Sequence, residues 1–264
     1  MTTPGLNGKV ALITGASSGI GRATAIYFAK SGSSLVLTGR RVGNLEEVKT
    51  ECIAAGLKPE QILLLPGDIN DQSYRRSLVP KAIEQFKKLD ILVNNAGVMV
   101  IKPNLETTLE EFDFMFNTNV RSLADLTIQA VPHLIQTKGS IVNVSSIAST
   151  LANPVGAYYS MTKAAVDSFT KSFSLDLAPK GVRVNAVNPG PVKTELSRDL
   201  PEESKQLIGV MPKLQPNGRV AEPEEMAKII AFLSSPDSDF ITGVCLPADG
   251  GQLLTSSFWS IMNK

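Results

Sequence analysis

Short apolar runs, most of them rich in β-branched residues, recur along the chain between longer stretches of helical periodicity, and this alternation narrows the fold more than any other feature. The runs are Lys9–Thr14, Ser34–Thr38, Gln61–Leu65, Asp90–Val93, Gly139–Val144, Val182–Val187 and Gly243–Leu246. Helices are expected over Gly21–Lys30, Leu45–Ala55, Asp71–Lys87, Thr108–Ile135 and Ala157–Leu177. Such an alternation argues for a parallel sheet covered by helices on both faces. The expected class is therefore α/β, a single doubly wound, seven-stranded parallel sheet. No linker or repeat divides the series, so residues 1–264 read as one domain. The least regular stretch is Pro189–Pro223, and a long irregular insertion in a compact domain is often a lid or binding loop.

Charge excludes some partners. Twenty-six basic residues stand against twenty-five acidic ones, with no block of like charge, so nucleic acid is not expected. Cys52 and Cys245 form no Cys-x-x-Cys pair, which suits a reducing, cytoplasmic setting. Met1–Gly8 lacks the basic start and apolar run of a signal peptide, and no apolar run reaches the length of a membrane span. His133 is the sole histidine, so histidine-based hydrolysis and a His-rich metal site are both disfavoured, and no metal is expected.

After the first strand comes Thr14-Gly15-Ala16-Ser17-Ser18-Gly19-Ile20-Gly21, a turn opening the first helix. Glycines let a backbone approach a pyrophosphate, and the helix end favours its charge. The spacing Gly-x-x-x-Gly-x-Gly differs from the common dinucleotide fingerprint. NAD-selective sites usually place a carboxylate near the end of the second strand, where this chain has Gly39-Arg40-Arg41. A guanidinium suits a 2′-phosphate, so NADP(H) is expected over NAD(H), with Arg40 the first candidate and Arg41 the second.

Tyr159 and Lys163 are four residues apart, which on a helix puts them on one face. A nearby cation favours phenolate, so the lysine is expected to lower the tyrosine pKa. Ser146 lies thirteen residues upstream of Tyr159 in Val142-Asn143-Val144-Ser145-Ser146.

With these motifs, Asn94-Asn95-Ala96-Gly97 after the fourth strand and Asn188-Pro189-Gly190-Pro191-Val192-Lys193-Thr194 after the sixth, the chain resembles the short-chain dehydrogenase/reductase family from Lys9 to Gly251. The resemblance implies a Rossmann fold and a tetrad. Tyr159 would be the acid/base, since Tyr158 has Thr162 four residues on. Lys163 would tune it and hold the nicotinamide ribose, Ser146 would hydrogen-bond the reacting oxygen, and Asn119 would support a water, with Asn117 left a structural role. It also implies that Gly15, Ser17, Ser18, Gly19, Ile20 and Gly21 meet the pyrophosphate. Asp68 and Ile69 would lie near adenine, Asn95, Ala96 and Gly97 along the ribose side, and Pro189, Gly190, Val192 and Thr194 around nicotinamide.

By the same analogy Val98, Met99, Ile147, Leu151, Leu196 and Met211 would line the substrate pocket, and the 189–223 segment would be a substrate loop. These apolar side chains suggest a lipophilic or medium-sized carbonyl or alcohol. Family members usually form homotetramers or homodimers, and a homotetramer is expected here, with the apolar tail 252–264 packing at an interface or fraying. The leading expectation is an NADPH-dependent carbonyl reductase. Alternatives are an NAD-dependent alcohol, steroid or sugar dehydrogenase, a 3-oxoacyl carrier-protein reductase, and a catalytically silent nucleotide-sensing protein.

Overall fold

The apolar runs form strands β1 (Val10–Thr14), β2 (Ser34–Gly39), β3 (Ile62–Pro66), β4 (Ile91–Asn94), β5 (Ser140–Val144), β6 (Arg183–Pro189) and β7 (Cys245–Ala248). They pair in parallel throughout, in the order β3-β2-β1-β4-β5-β6-β7. The computed structural model describes residues 5–152, 155–195 and 215–255. Leu196, Met211, most of the 189–223 segment and residues 256–264 of the tail lie outside the described residues.

Period-two alternation in the strands supplies both faces of the sheet with apolar side chains. Ala11, Ile13, Leu35 and Leu37 enter one core with Phe28, Leu45, Val48 and Ile230. Leu12, Val36, Leu92 and Ile141 enter the other with Leu78, Leu126, Leu134 and Leu177. The first core lies under α1 (Gly19–Lys30), α2 (Val42–Ala54) and α7 (Pro223–Ser234). The second lies under α3 (Gln72–Phe86), α5 (Ser122–Thr137) and α6 (Ala157–Leu177). Strands buried on both faces, with helices on each side, make this a doubly wound Rossmann-type sheet.

Two departures from the expected elements bear on the site. The helix expected as continuous over Thr108–Ile135 is α4 (Leu109–Phe116), a π turn at Asn117–Arg121 and then α5. The Ser122 N–H reaches back five residues to the Asn117 carbonyl, inserting one extra residue into the turn. Side chains pin this bulge: Asn117 Nδ2 donates to Asn70 Oδ1 at 2.9 Å, and Thr118 Oγ1 donates to the Phe114 carbonyl at 2.9 Å. The second departure is α7, which follows directly on the irregular stretch. Pro223 occupies its first turn, and Glu225 accepts from the Glu222 N–H at 2.9 Å.

Candidate active site

The site groups singled out above that lie among the described residues gather at the carboxyl ends of the strands, where doubly wound sheets bind ligands. Gly15 and Gly19 have φ of +64° and +52° in the turn between β1 and α1. A Cβ on Gly15 would sit 2.9 Å from Ala96 Cα, and one on Gly21 would sit 2.3 Å from the Gly15 oxygen. Ser18, preceding α1, makes no side-chain cap, and the first turn holds no acidic residue. Ser17 is buried against Gly39, and Ile20 packs into the first core, so the turn can present backbone amides to an anion. These features fit the pyrophosphate of a dinucleotide.

Asn95 and Thr14 brace that turn. The Asn95 amide donates to the carbonyls of Thr14 at 2.9 Å and Gly15 at 3.2 Å, while the Thr14 hydroxyl accepts from the N–H groups of Asn95 and Ala96. Both Asn95 side-chain donors are therefore spent on the protein. Thr194, from the segment after β6, lies against the same turn, since a Cβ on Gly19 would be 3.1 Å from its side chain. Pro189 ends β6, and Gly190 lies so close to Asp249 that a Cβ would meet its Cα at 2.9 Å. The Pro191 carbonyl accepts from Ala221, which ties down the next residue, Val192, whose side chain packs on the first core.

The two arginines after β2 differ. Arg41 forms an ion pair with Glu195, across the groove from β2. Arg40 is exposed and makes no ion pair among the described residues. On the adenine side, exposed Asp68 accepts from the Asn70 N–H at 2.9 Å, and Ile69 packs on the second core. The loop is held from behind by buried Arg75, which donates to the Ile69 carbonyl at 2.7 Å and pairs with Asp125 at 2.6 Å. Asn70 bonds Asn117 and Thr118 of the π turn, so the structure gives Asn117 a bracing contact.

Ser146, Tyr159 and Lys163 meet beside Gly97. The Ser146 hydroxyl lies close enough to the Tyr159 phenol to favour its ionised form, and Ser146 Oγ accepts from the Ala148 N–H at 3.1 Å. Lys163 Nζ lies 5.6 Å from the centre of the Tyr159 ring and donates to the Val144 carbonyl at 2.9 Å. A Cβ on Gly97 would come within 3.7 Å of Lys163 Nζ and 3.3 Å of Asn119 Oδ1. Asn119 clamps the Val98 backbone, accepting from its N–H at 2.8 Å and donating to its carbonyl at 2.9 Å. It also donates to Thr162 Oγ1 at 3.0 Å, and that hydroxyl donates to the Tyr159 carbonyl at 2.7 Å. Tyr158 points elsewhere, edge-on to Phe112 at 5.1 Å.

The electrostatics correct one expectation. Desolvation pushes Tyr159 up to about 12, and the nearby Ser146 hydroxyl only partly offsets this. Desolvation likewise brings Lys163 down to about 8, opposed by the charge of Asp167. In the protein itself, burial therefore outweighs any lowering of the tyrosine by the lysine, whose ammonium is directed at a carbonyl and the ring. Near neutral pH this is a protonated phenol beside a cation.

Val98, Met99 and Leu151 are partly exposed, but Ile147 is only 6% exposed and has little surface left to line a pocket. A cleft of about 490 Å³ lies along α1, lined by Gly19, Arg22, Lys193, Thr194, Glu195 and Pro223 among others. It borders the glycine turn without touching Ser146, Tyr159 or Lys163 and is not where these groups converge. Among the described residues, no cluster of side chains could hold a metal, and no helix is long and apolar enough to cross a membrane.

A family model described as enoyl-(acyl carrier protein) reductase matches residues 15–252. The 3-oxoacyl-(acyl-carrier-protein) reductase of Thermotoga maritima is 35% identical over 250 residues, covering 94% of this chain and 99% of the relative. The chain belongs to the short-chain dehydrogenase/reductase family. A short-chain dehydrogenase/reductase of unknown function from Caenorhabditis elegans, solved with cofactor, superposes with a TM-score of 0.92 at 34% identity, covering 97% of this chain and 99% of that one. Glucose dehydrogenase of the same organism, in its apo form, gives 0.82 at 38% identity, covering 95% and 99%. This family comprises oxidoreductases that use NAD(P)(H), which accords with a glycine cradle built for a pyrophosphate. Sequence reasoning named Thr14 only as the start of the glycine turn and did not single out Asn70 or Thr162, which hold site residues in place. Their partners are distant in sequence or on the main chain, so no local motif announces them.

Proposed function

We propose that this short-chain dehydrogenase/reductase interconverts a ketone or aldehyde and an alcohol with NADP(H), on a lipophilic or medium-sized substrate. The observation that carries the reading is the convergence of the Tyr159 ring and the Ser146 hydroxyl with Lys163, whose ammonium lies 5.6 Å from the centre of that ring and close to Gly97. When bound, NADP(H) supplies or takes up a hydride at its nicotinamide C4. Ser146 donates a hydrogen bond to the carbonyl oxygen, and Tyr159 delivers a proton to that oxygen as negative charge grows on it. Lys163 stabilises the phenolate left behind and holds ribose, and Asn119 fixes the backbone at Val98 and the register of Tyr159. The glycine turn with Ser17, Ser18 and Ile20, the residues Asp68 to Ile69 and Asn95 to Gly97, and Pro189, Gly190, Val192 and Thr194 surround the cofactor, while Val98, Met99 and Leu151 face substrate.

The pKa directions give an expected pH response. The phenol is protonated below about 12, so the proton donor for reduction persists at neutral pH. The ammonium is present below about 8 and lost above it, so kcat for reduction is expected to fall as pH rises through that value. A flat kcat profile across it would contradict the assigned role of Lys163.

Arg40, which makes no ion pair among the described residues, is assigned to the 2′-phosphate, while Glu195 engages Arg41. Charge-assisted hydrogen bonds of this kind are worth about 1.5–3 kcal/mol, so Arg40→Ser is expected to cut the preference for NADPH over NADH by about tenfold or more. Equal ratios in wild type and variant, measured by paired cofactor titrations, would remove Arg40 from this role. The Thermotoga relative favours a second reading, reduction of a 3-oxoacyl group on a carrier protein. Turnover of acetoacetyl-CoA exceeding that of simple ketones would select it. Exposed Leu109, Phe114, Ile128 and Met161 on α4 to α6 support a homotetramer, and the even cysteine-poor composition supports a reducing, cytoplasmic setting.

A further inference from the structure

One turn beyond Lys163, α6 carries Asp167, whose surroundings are unlike those of a surface acid. Its Oδ2 accepts from Asn188 Nδ2 at 2.8 Å, while its Oδ1 is enclosed with no hydrogen-bond partner among the described residues. Asn188 is 3% exposed and stands in β6 directly before Pro189. The same amide donates to the Ser146 carbonyl at 3.2 Å and lies 3.1 Å from Ser149 Oγ. A half-buried carboxylate with one oxygen enclosed and unbonded is costly to desolvate unless a cation nearby compensates it. Lys163 stands four residues earlier on the same helix face, outside ion-pair distance but near enough for its ammonium to feel the Asp167 charge.

We propose that Asp167 is a positioning residue of the reaction centre: it fixes Asn188, and through it the Ser146 loop, while holding a negative charge behind Lys163. The proposal rests on the reading of Ser146, Tyr159 and Lys163 given above. Its charge favours the protonated lysine against the desolvation that depresses it. Few other titratable groups face this pair. Tyr159 stands on the same helix, Cys245 of β7 approaches the Asp167 carbonyl at 3.8 Å, and Lys171 acts on Cys245. From β5 and the π turn, Lys163 meets the Val144 carbonyl and the neutral amide of Asn119.

The test compares two neutral variants, Asp167→Asn and Asp167→Ser, with the charge-retaining Asp167→Glu. The readout is the NMR titration of the Lys163 ε-carbon, assigned by its loss in Lys163→Met, together with the pH profile of carbonyl reduction. In either neutral variant that folds, the Lys163 titration is expected to move down by about one pH unit, and the alkaline limb of kcat to move with it. Asp167→Glu is expected to keep both close to wild type. Titration curves and pH profiles that superimpose on wild type in the neutral variants, with only the melting temperature lowered, would overturn the proposal and leave Asp167 a structural residue. The NMR titration needs no substrate, so it decides on Asp167 separately. Retained turnover in Tyr159→Phe would instead strike at the reading of the centre.

Discussion

Tyr159→Phe is expected to bind NADPH with unchanged affinity and to lose about 10²–10⁴-fold in kcat, the usual worth of a positioned acid or base. The substitution keeps the ring that faces Lys163 and leaves the Tyr159 carbonyl available to Thr162, so the helix register and the Asn119 clamp survive. What disappears is the hydroxyl beside Ser146. A water can still protonate the product oxygen, which sets the residual rate. Tyr158→Phe is the matched control, because Tyr158 packs on Phe112 away from Ser146 and should turn over almost as wild type does. Steady-state kinetics combined with a fluorescence titration of NADPH separates the two effects. A Tyr159→Phe enzyme within tenfold of wild type would remove the tyrosine from the chemistry.

The second large effect concerns the glycine turn. Gly21→Ala places a Cβ 2.3 Å from the Gly15 oxygen and 2.5 Å from Asn95 Nδ2. Neither neighbour can yield cheaply, since one is backbone and the other braces Thr14 and Gly15. Overpacking of this sort costs about 1–3 kcal/mol, and distortion of the same size at the cradle corresponds to about 5–150-fold in cofactor affinity. Denaturant melts and NADPH titrations of the variant are both expected to show the loss. Gly43→Ala provides the contrast, because a Cβ there meets nothing within 4 Å and α2 should gain about 0.5–1 kcal/mol. An unaffected Gly21→Ala protein would mean that the turn opens more freely than its contacts indicate.

The sheet was legible because its strands are buried on both faces, so runs such as Ala11-Leu12-Ile13 and Ile141-Val142 are apolar without interruption. The π turn was not legible. Apolar periodicity continues across Phe116 to Leu123, and the extra residue is held by Asn70, far back in the chain. Helix α7 did leave a signal, a proline followed by two glutamates, but it adjoins an irregular stretch that masked it. At the site, spacing put Tyr159 and Lys163 on one helix face, and the family resemblance added Ser146. The sign of the tyrosine shift was not readable, because spacing reports a neighbouring charge and says nothing of burial. The ion pair that engages Arg41 was likewise hidden, because its partner Glu195 lies 154 residues away.

Hydride transfer itself offers the most direct test of the central claim. The enzyme would be incubated with NADPH deuterated at nicotinamide C4, on either face, and a panel of aliphatic and aromatic ketones, and the alcohols examined by mass spectrometry. The account predicts deuterium at the carbinol carbon of at least one product, from one face of the nicotinamide, and its near-absence with Tyr159→Phe. No labelled alcohol from any ketone, with NADPH shown to be bound, would contradict it.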